Sequence, residues 1–198
     1  MLELTLPYLS FDNTIAFLSS KQDIIHIDYW RLSFYVHVFS SMFILITGFV
    51  QFFRASFQRY LKLHRLLGKI YVFLILFVSG PTGLIMAVFA NGGIIPQAGF
   101  VTLAIAWMIF TYLAYRAIRQ KNLKRHREMM IRSYALTLSA ITLRSWVFLF
   151  SYYDLGYLYT FVLISWIALI PNWLVAEAII YIKRRAAINQ NDFARADK

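Results

Sequence analysis

The stretch KRHREMMIRSYALTLSAITLR, residues 124–144, decides how this chain is to be read. It opens on Lys124, Arg125, His126 and Arg127, then becomes apolar enough to enter a bilayer while still carrying Arg132 and Arg144. A basic cluster running directly into a long apolar segment marks the cytoplasmic end of a membrane span, because Lys and Arg are retained on that side. Working outward from it, four more segments are long enough to cross the roughly 30 Å of hydrocarbon. The five spans cover residues 31–53, 70–89, 99–115, 129–150 and 157–182. The expected fold is therefore all-α, a polytopic transmembrane helix bundle of five spans.

The connections alternate in charge. NGGIIPQAG (91–99) and SYYDLG (151–156) contain no Lys or Arg. RASFQRYLKLHRLLGK (54–69) carries Arg54, Arg59, Lys62, Arg65 and Lys69, and RAIRQKNLKRHR (116–127) carries six basic residues. The tail after Ile182 adds Lys183, Arg184, Arg185, Arg195 and Lys198. By the positive-inside rule the basic connections are cytoplasmic, residues 1–29 form an external segment, and 183–198 form a basic cytoplasmic tail. A short amphipathic helix is expected near Thr14 to Ser20, and His26 is expected to be solvated. Tyr29-Trp30 and Tyr152-Tyr153 sit where interfacial aromatic anchors belong.

Composition supports the same reading. Of 198 residues, 60% are hydrophobic and only 15% charged, against about 25% charged in soluble domains. The net charge of +11 is gathered at span ends, so it orients the chain and does not point to nucleic acid. The absence of cysteine excludes disulfides and thiolate metal sites. MLELTLPYLSFDNT lacks the basic n-region and long apolar core of a signal peptide. No repeat or interdomain linker appears, so residues 30–182 read as one membrane domain.

Small and polar positions should mark the faces that turn inward, since membrane helices pack through such residues. The first span presents Ser33, His37, Ser40, Ser41, Gly48 and Gln51 on one stripe, and the second His64, Gly68, Tyr71, Thr82 and Met86. The fourth presents His126, Met130, Ser133, Thr137, Ala140 and Arg144. His126 and Arg144 lie 18 positions apart, roughly 27 Å along one face. Arg132 and Glu177 sit at similar depth on the fourth and fifth spans, which suggests an ion pair serving as a clamp or as a proton or ligand site. Arg144 either snorkels to the outer surface or neutralises a buried anion such as a cofactor carboxylate. Pro81 and Pro171 each remove a backbone hydrogen bond and should kink their spans.

His64 and His126 begin two spans that run in the same direction, so they share a depth at the cytoplasmic end, and each is followed by arginine. If their helices face each other, the imidazoles could clasp a haem b iron, with the flanking arginines, such as Arg65, receiving the propionates. Also open are an interfacial hydrogen-bonding or lipid-headgroup role and a non-haem metal. Two imidazoles make a poor zinc site unless Glu128 joins them. There is no P-loop, Rossmann fingerprint, HExxH or GxSxG, and whether the chain is an enzyme stays open.

HRLLGKIYVFLILFVSGPTGLIMAVFANGG, HREMMIRSYALTLSAITLR, FYVHVFSSMFILITGFVQF and PNWLVAEAII together resemble the bacterial predicted-membrane-protein family called domain of unknown function 2306, over nearly all of Trp30 to Ile182. The resemblance singles out His37, His64, Arg65, Gly68, His126, Met130, Arg132 and Arg144, and implies a multi-pass protein of the bacterial inner membrane. Members often begin with a further apolar helix before a segment similar to LPYLSFD, so a sixth span preceding Met1 is expected. More loosely, the bundle is similar to two-haem membrane cytochromes of the ascorbate-reducible type, which pair histidines near both faces. Here His37 lacks a histidine at its own depth, with Met86 the nearest substitute. Two functions follow as expectations. One is a b-type haem redox protein with a quinone or protein electron partner, using His64 and His126, and His37 on the outer side. The other is a non-enzymatic membrane protein that binds lipid, a small solute or another membrane subunit.

Overall fold

The computed structural model describes residues 5–52, 61–153 and 157–196. Arg54 and Arg59, residues 154–156 of the fourth connection, and Lys198 lie outside the described residues. Five helices are long and apolar enough to cross a membrane: Asp28–Gln51, Leu61–Val88, Ile94–Arg119, Leu123–Tyr152 and Thr160–Asn189. No strand occurs among the described residues. In hydrocarbon each backbone N–H and C=O must find its partner inside the segment, and for these lone apolar runs only a helix supplies it.

In chain order the helices are α1 (Asp28–Phe52), α2 (Leu61–Phe73), α3 (Gly80–Val88), α4 (Ile94–Arg119), α5 (Leu123–Tyr152), α6 (Tyr157–Ile167) and α7 (Ile170–Ala196). Several extend past the apolar segments because their basic ends keep the helical pattern, as in LKLHRLLGK at the start of α2. The α3–α4 turn places Gly92 and Gly93 at φ of 94° and 86°, a region open to glycine at no steric cost. At the opposite face, the Asn122 side chain accepts the Arg125 backbone N–H at 3.0 Å and caps α5.

Two spans are broken at proline. Between α2 and α3, residues Leu74–Ser79 form one π-helical stretch. Pro81 has no N–H and its ring crowds the carbonyl four residues back, so the helix widens just before it. The Thr82 hydroxyl donates to Val78 O at 2.7 Å and takes up one of the loosened carbonyls. The fifth span breaks at Ala168–Leu169, just ahead of Pro171. There the Ala168 carbonyl accepts Ser139 Oγ at 2.6 Å and Asn172 Nδ2 at 2.8 Å, so α5 pins the break through a side chain.

The α4–α5 interface is the most extensive, with α3 against α4, α7 against α5 and α1 against α3. The main core joins Ile44, Tyr71, Ile75, Trp107, Tyr134, Leu136 and Leu169. Gly48 lets α1 approach it so closely that a Cβ there would collide with the Tyr134 ring. Outward the bundle presents large apolar side chains, with Phe77 69% and Phe148 75% exposed, a surface suited to lipid contact.

Over the charge-poor face, a second cluster of Tyr8, Leu18, Trp30, Phe34 and Val38 docks the N-terminal segment. The expected short helix there is a 3₁₀ turn, Ala16–Lys21, and His26 is exposed. Lys21 is only 2% exposed. Its ammonium donates to Phe89 O and Asn91 Oδ1 and lies about 6 Å from the Phe17 and Trp30 rings. Burial pulls its pKa down to about 8, with Asp23 opposing the shift.

Candidate functional site

Polar side chains run through the bundle in three levels. At the basic face, His64 (α2) and His126 (α5) are half-buried and within electrostatic reach of each other. His126 Nδ1 donates to Ala114 O of α4 at 2.9 Å. Because a carbonyl only accepts, the proton sits on Nδ1, and Nε2 keeps its lone pair in the neutral ring. Gln51 of α1 donates to the His64 carbonyl at 2.9 Å and ties α1 to α2 at this level. Arg65 is exposed and is not drawn into the pair. Glu128 does not join it either, since both its oxygens take Arg184 of α7, at 2.7 and 2.6 Å. Among the described residues no three His, Cys, Asp or Glu side chains gather as a metal site.

The middle level is a closed network of hydroxyls. Tyr71 OH lies 2.9 Å from both Ser133 Oγ and Thr137 Oγ1. Trp107 Nε1 donates to Thr137 Oγ1 at 3.0 Å, and Thr111 Oγ1 meets Ser133 Oγ at 2.7 Å. Thr111 and Thr137 also reach Trp107 O and Ser133 O, at 2.8 and 3.1 Å. Every member has a partner, and the group joins α2, α4 and α5 without a charge. Sequence stripes held Tyr71, Ser133 and Thr137 but missed Trp107 and Thr111. The signal for these two was present, since positions 107 and 111 are one turn apart on the same face of α4. Beside this level Arg132 grips Glu177 with a fork: Nε to Oε1 at 2.5 Å and Nη2 to Oε2 at 2.7 Å. Trp173 Nε1 adds a bond to Glu177 Oε1 at 3.0 Å, and the Phe110 ring lies 5.9 Å from the guanidinium.

The third level lies under the N-terminal segment. His37 of α1 donates Nδ1–H to Ser79 O at 2.8 Å, and Ser41 Oγ meets Ser79 Oγ at 3.0 Å. The π-helical turn ends at Ser79, so the distortion ahead of Pro81 sets where this acceptor stands. His37 packs against Gly83, where a Cβ would come within 2.7 Å of the ring. Arg144 is half-buried, and its Nη1 donates to Ala140 O at 2.8 Å. Its electrostatic neighbours include His37 and Tyr8. Met86, read from sequence as a substitute partner for His37, packs into the cluster beneath the N-terminal segment.

The geometry thus joins Arg132 with Glu177, brings His64 within electrostatic reach of His126 and His37 within that of Arg144, and leaves Arg65 exposed. The chain belongs to the predicted membrane protein family DUF2306, whose family model matches residues 34–180. No curated protein and no solved structure matches the chain. The protein is a membrane protein with several apolar helices, and its setting is a lipid bilayer.

Proposed function

We propose that this chain is a redox protein of the bacterial inner membrane in which His64 and His126 hold a b-type haem near the cytoplasmic face. One observation carries the reading. His126 commits Nδ1–H to the Ala114 carbonyl, and its remaining nitrogen is a free lone pair beside a second imidazole on a neighbouring span. That second hydrogen bond, to a backbone carbonyl, is what orients a ligating histidine and raises its basicity. Two imidazoles are too few for zinc but would suffice to hold haem iron. When bound, haem supplies one-electron transfer. The residues of the chain hold and orient it. Gln51 fixes the backbone at His64, and Ala114 fixes the ring of His126. A quinone or a redox protein in the membrane is the electron partner of this reading.

The test is an oxidised and dithionite-reduced visible spectrum of protein purified in mild detergent from haem-replete cells. A sharp b-type band near one haem per chain is expected, lost in H64A and in H126A. A colourless, stably folded protein sinks the haem reading and leaves a non-enzymatic protein that binds lipid, a small solute or a membrane subunit.

A further inference from the structure

Arg144 stands eight residues from the Tyr152 end of α5, about 12 Å along the axis. A cation that needed only water would extend toward that nearer end. Arg144 instead turns back and bonds Ala140 O, one turn deeper. This uses one of its five N–H donors. The ion pairs among the described residues are Arg31–Asp28, Arg132–Glu177 and Arg184–Glu128, so no described carboxylate serves Arg144. An uncompensated charge in such surroundings carries a large desolvation penalty, which an incoming anion removes.

The surroundings indicate what kind of anion. Across from Arg144, His37 has given Nδ1–H to Ser79 O, and its Nε2 is free to take a proton and donate to an oxyanion. Ser41 and Ser79 bring two hydroxyls to the same level. Tyr8, within electrostatic reach of Arg144, belongs to the N-terminal segment that covers this level. We infer that Arg144 and His37 form a binding site for a carboxylate or phosphate oxyanion within the half of the bundle under the N-terminal segment. The same chemistry accepts the carboxylate head of a single-chain amphiphile entering from the bilayer or a free small anion. The site is separate from the His64–His126 pair and does not depend on haem.

The experiment is thermal unfolding of delipidated protein in dodecyl maltoside, titrated with laurate, with dodecanol as uncharged control, and with sodium phosphate. Laurate is expected to raise the unfolding temperature saturably and dodecanol to leave it unchanged. In R144Q the laurate affinity should fall at least tenfold, with a smaller loss in H37Q and partial retention in R144K. A rise with laurate alone supports an amphiphile, and a rise with phosphate as well supports a free oxyanion. No saturable response to either anion in the parent protein overturns the site. So does a laurate affinity unchanged in R144Q or, should that variant fail to fold, unchanged in both R144K and H37Q.

Discussion

Arg132 and Arg144 stand on the same helix, 12 residues and about 18 Å apart, and are treated in opposite ways. Arg132 is gripped by both oxygens of Glu177, which Trp173 steadies in turn, and its side chain is 14% exposed. Arg144 has one bond, to its own helix. A forked guanidinium–carboxylate pair meets most of the need of both charges and locks α5 to α7. A cation with one carbonyl for company does not meet its need and contributes little to helix packing. Charge inside a membrane is therefore not one category. The first arginine acts as a clamp between helices, and the second is a cation awaiting a partner.

The contrast can be broken most directly at Glu177. E177Q strands Arg132 and should cost on the order of 3 kcal/mol in detergent unfolding, while R132M/E177L should recover much of that loss. If the double variant is no better than the single one, the pair is not a self-contained clamp. Next in size is Y71F, which removes a hydroxyl from the uncharged network and should cost about 1–2 kcal/mol. Its Ser133 and Thr137 partners keep other bonds, to Thr111 and Trp107, so a loss as large as that of E177Q would show that the hydroxyls, and not the ion pair, hold the bundle.

Lys21 sharpens the comparison from outside the bundle, as a cation satisfied by a carbonyl and an amide oxygen. Docked, it titrates near 8, while free it titrates near 10.5. Between these pH values the undocked lysine still holds a proton that the docked one has released, so docking strengthens as pH rises from 8 to 10.5. Unfolding of the parent protein should gain at most about 2 kcal/mol over this interval relative to K21M. An identical pH profile in K21M would place the lysine outside the docking equilibrium. No loss is expected at Arg144, where R144M in delipidated protein should be at least as stable as the parent, because it removes a charge that has no counter-ion. A cost rivalling that of E177Q would mean that Arg144 already has a partner, and the contrast between the two arginines would fall.

Much of the architecture is legible in the residues. Apolar runs of span length, separated by alternately basic and uncharged connections, read directly as five helices, because a bilayer sets strict conditions on length and backbone pairing. The stripe on α5 identified the face bearing His126, Ser133, Thr137 and Arg144. Matched depth was enough to suggest that Arg132 and Glu177 meet. The π-helical turn was not legible, since Pro81 announces a disturbance but not whether the helix will kink, tighten or widen. The union of Trp107, Thr111 and Tyr71 was hidden too, because it depends on how α2, α4 and α5 are rotated against one another.

By itself, then, the sequence determined the number of spans, their apolar outer surface and the gathering of positive charge on one side. These follow from each segment's own exchange with lipid and water, so local composition suffices. Tertiary structure alone decided that His126 spends Nδ1 on Ala114, that Glu128 goes to Arg184, and that Arg144 turns inward beneath the N-terminal segment. Those outcomes depend on contacts between helices distant in the chain, where small residues such as Gly48 and Gly83 set how closely two spans approach and which polar groups then come within reach.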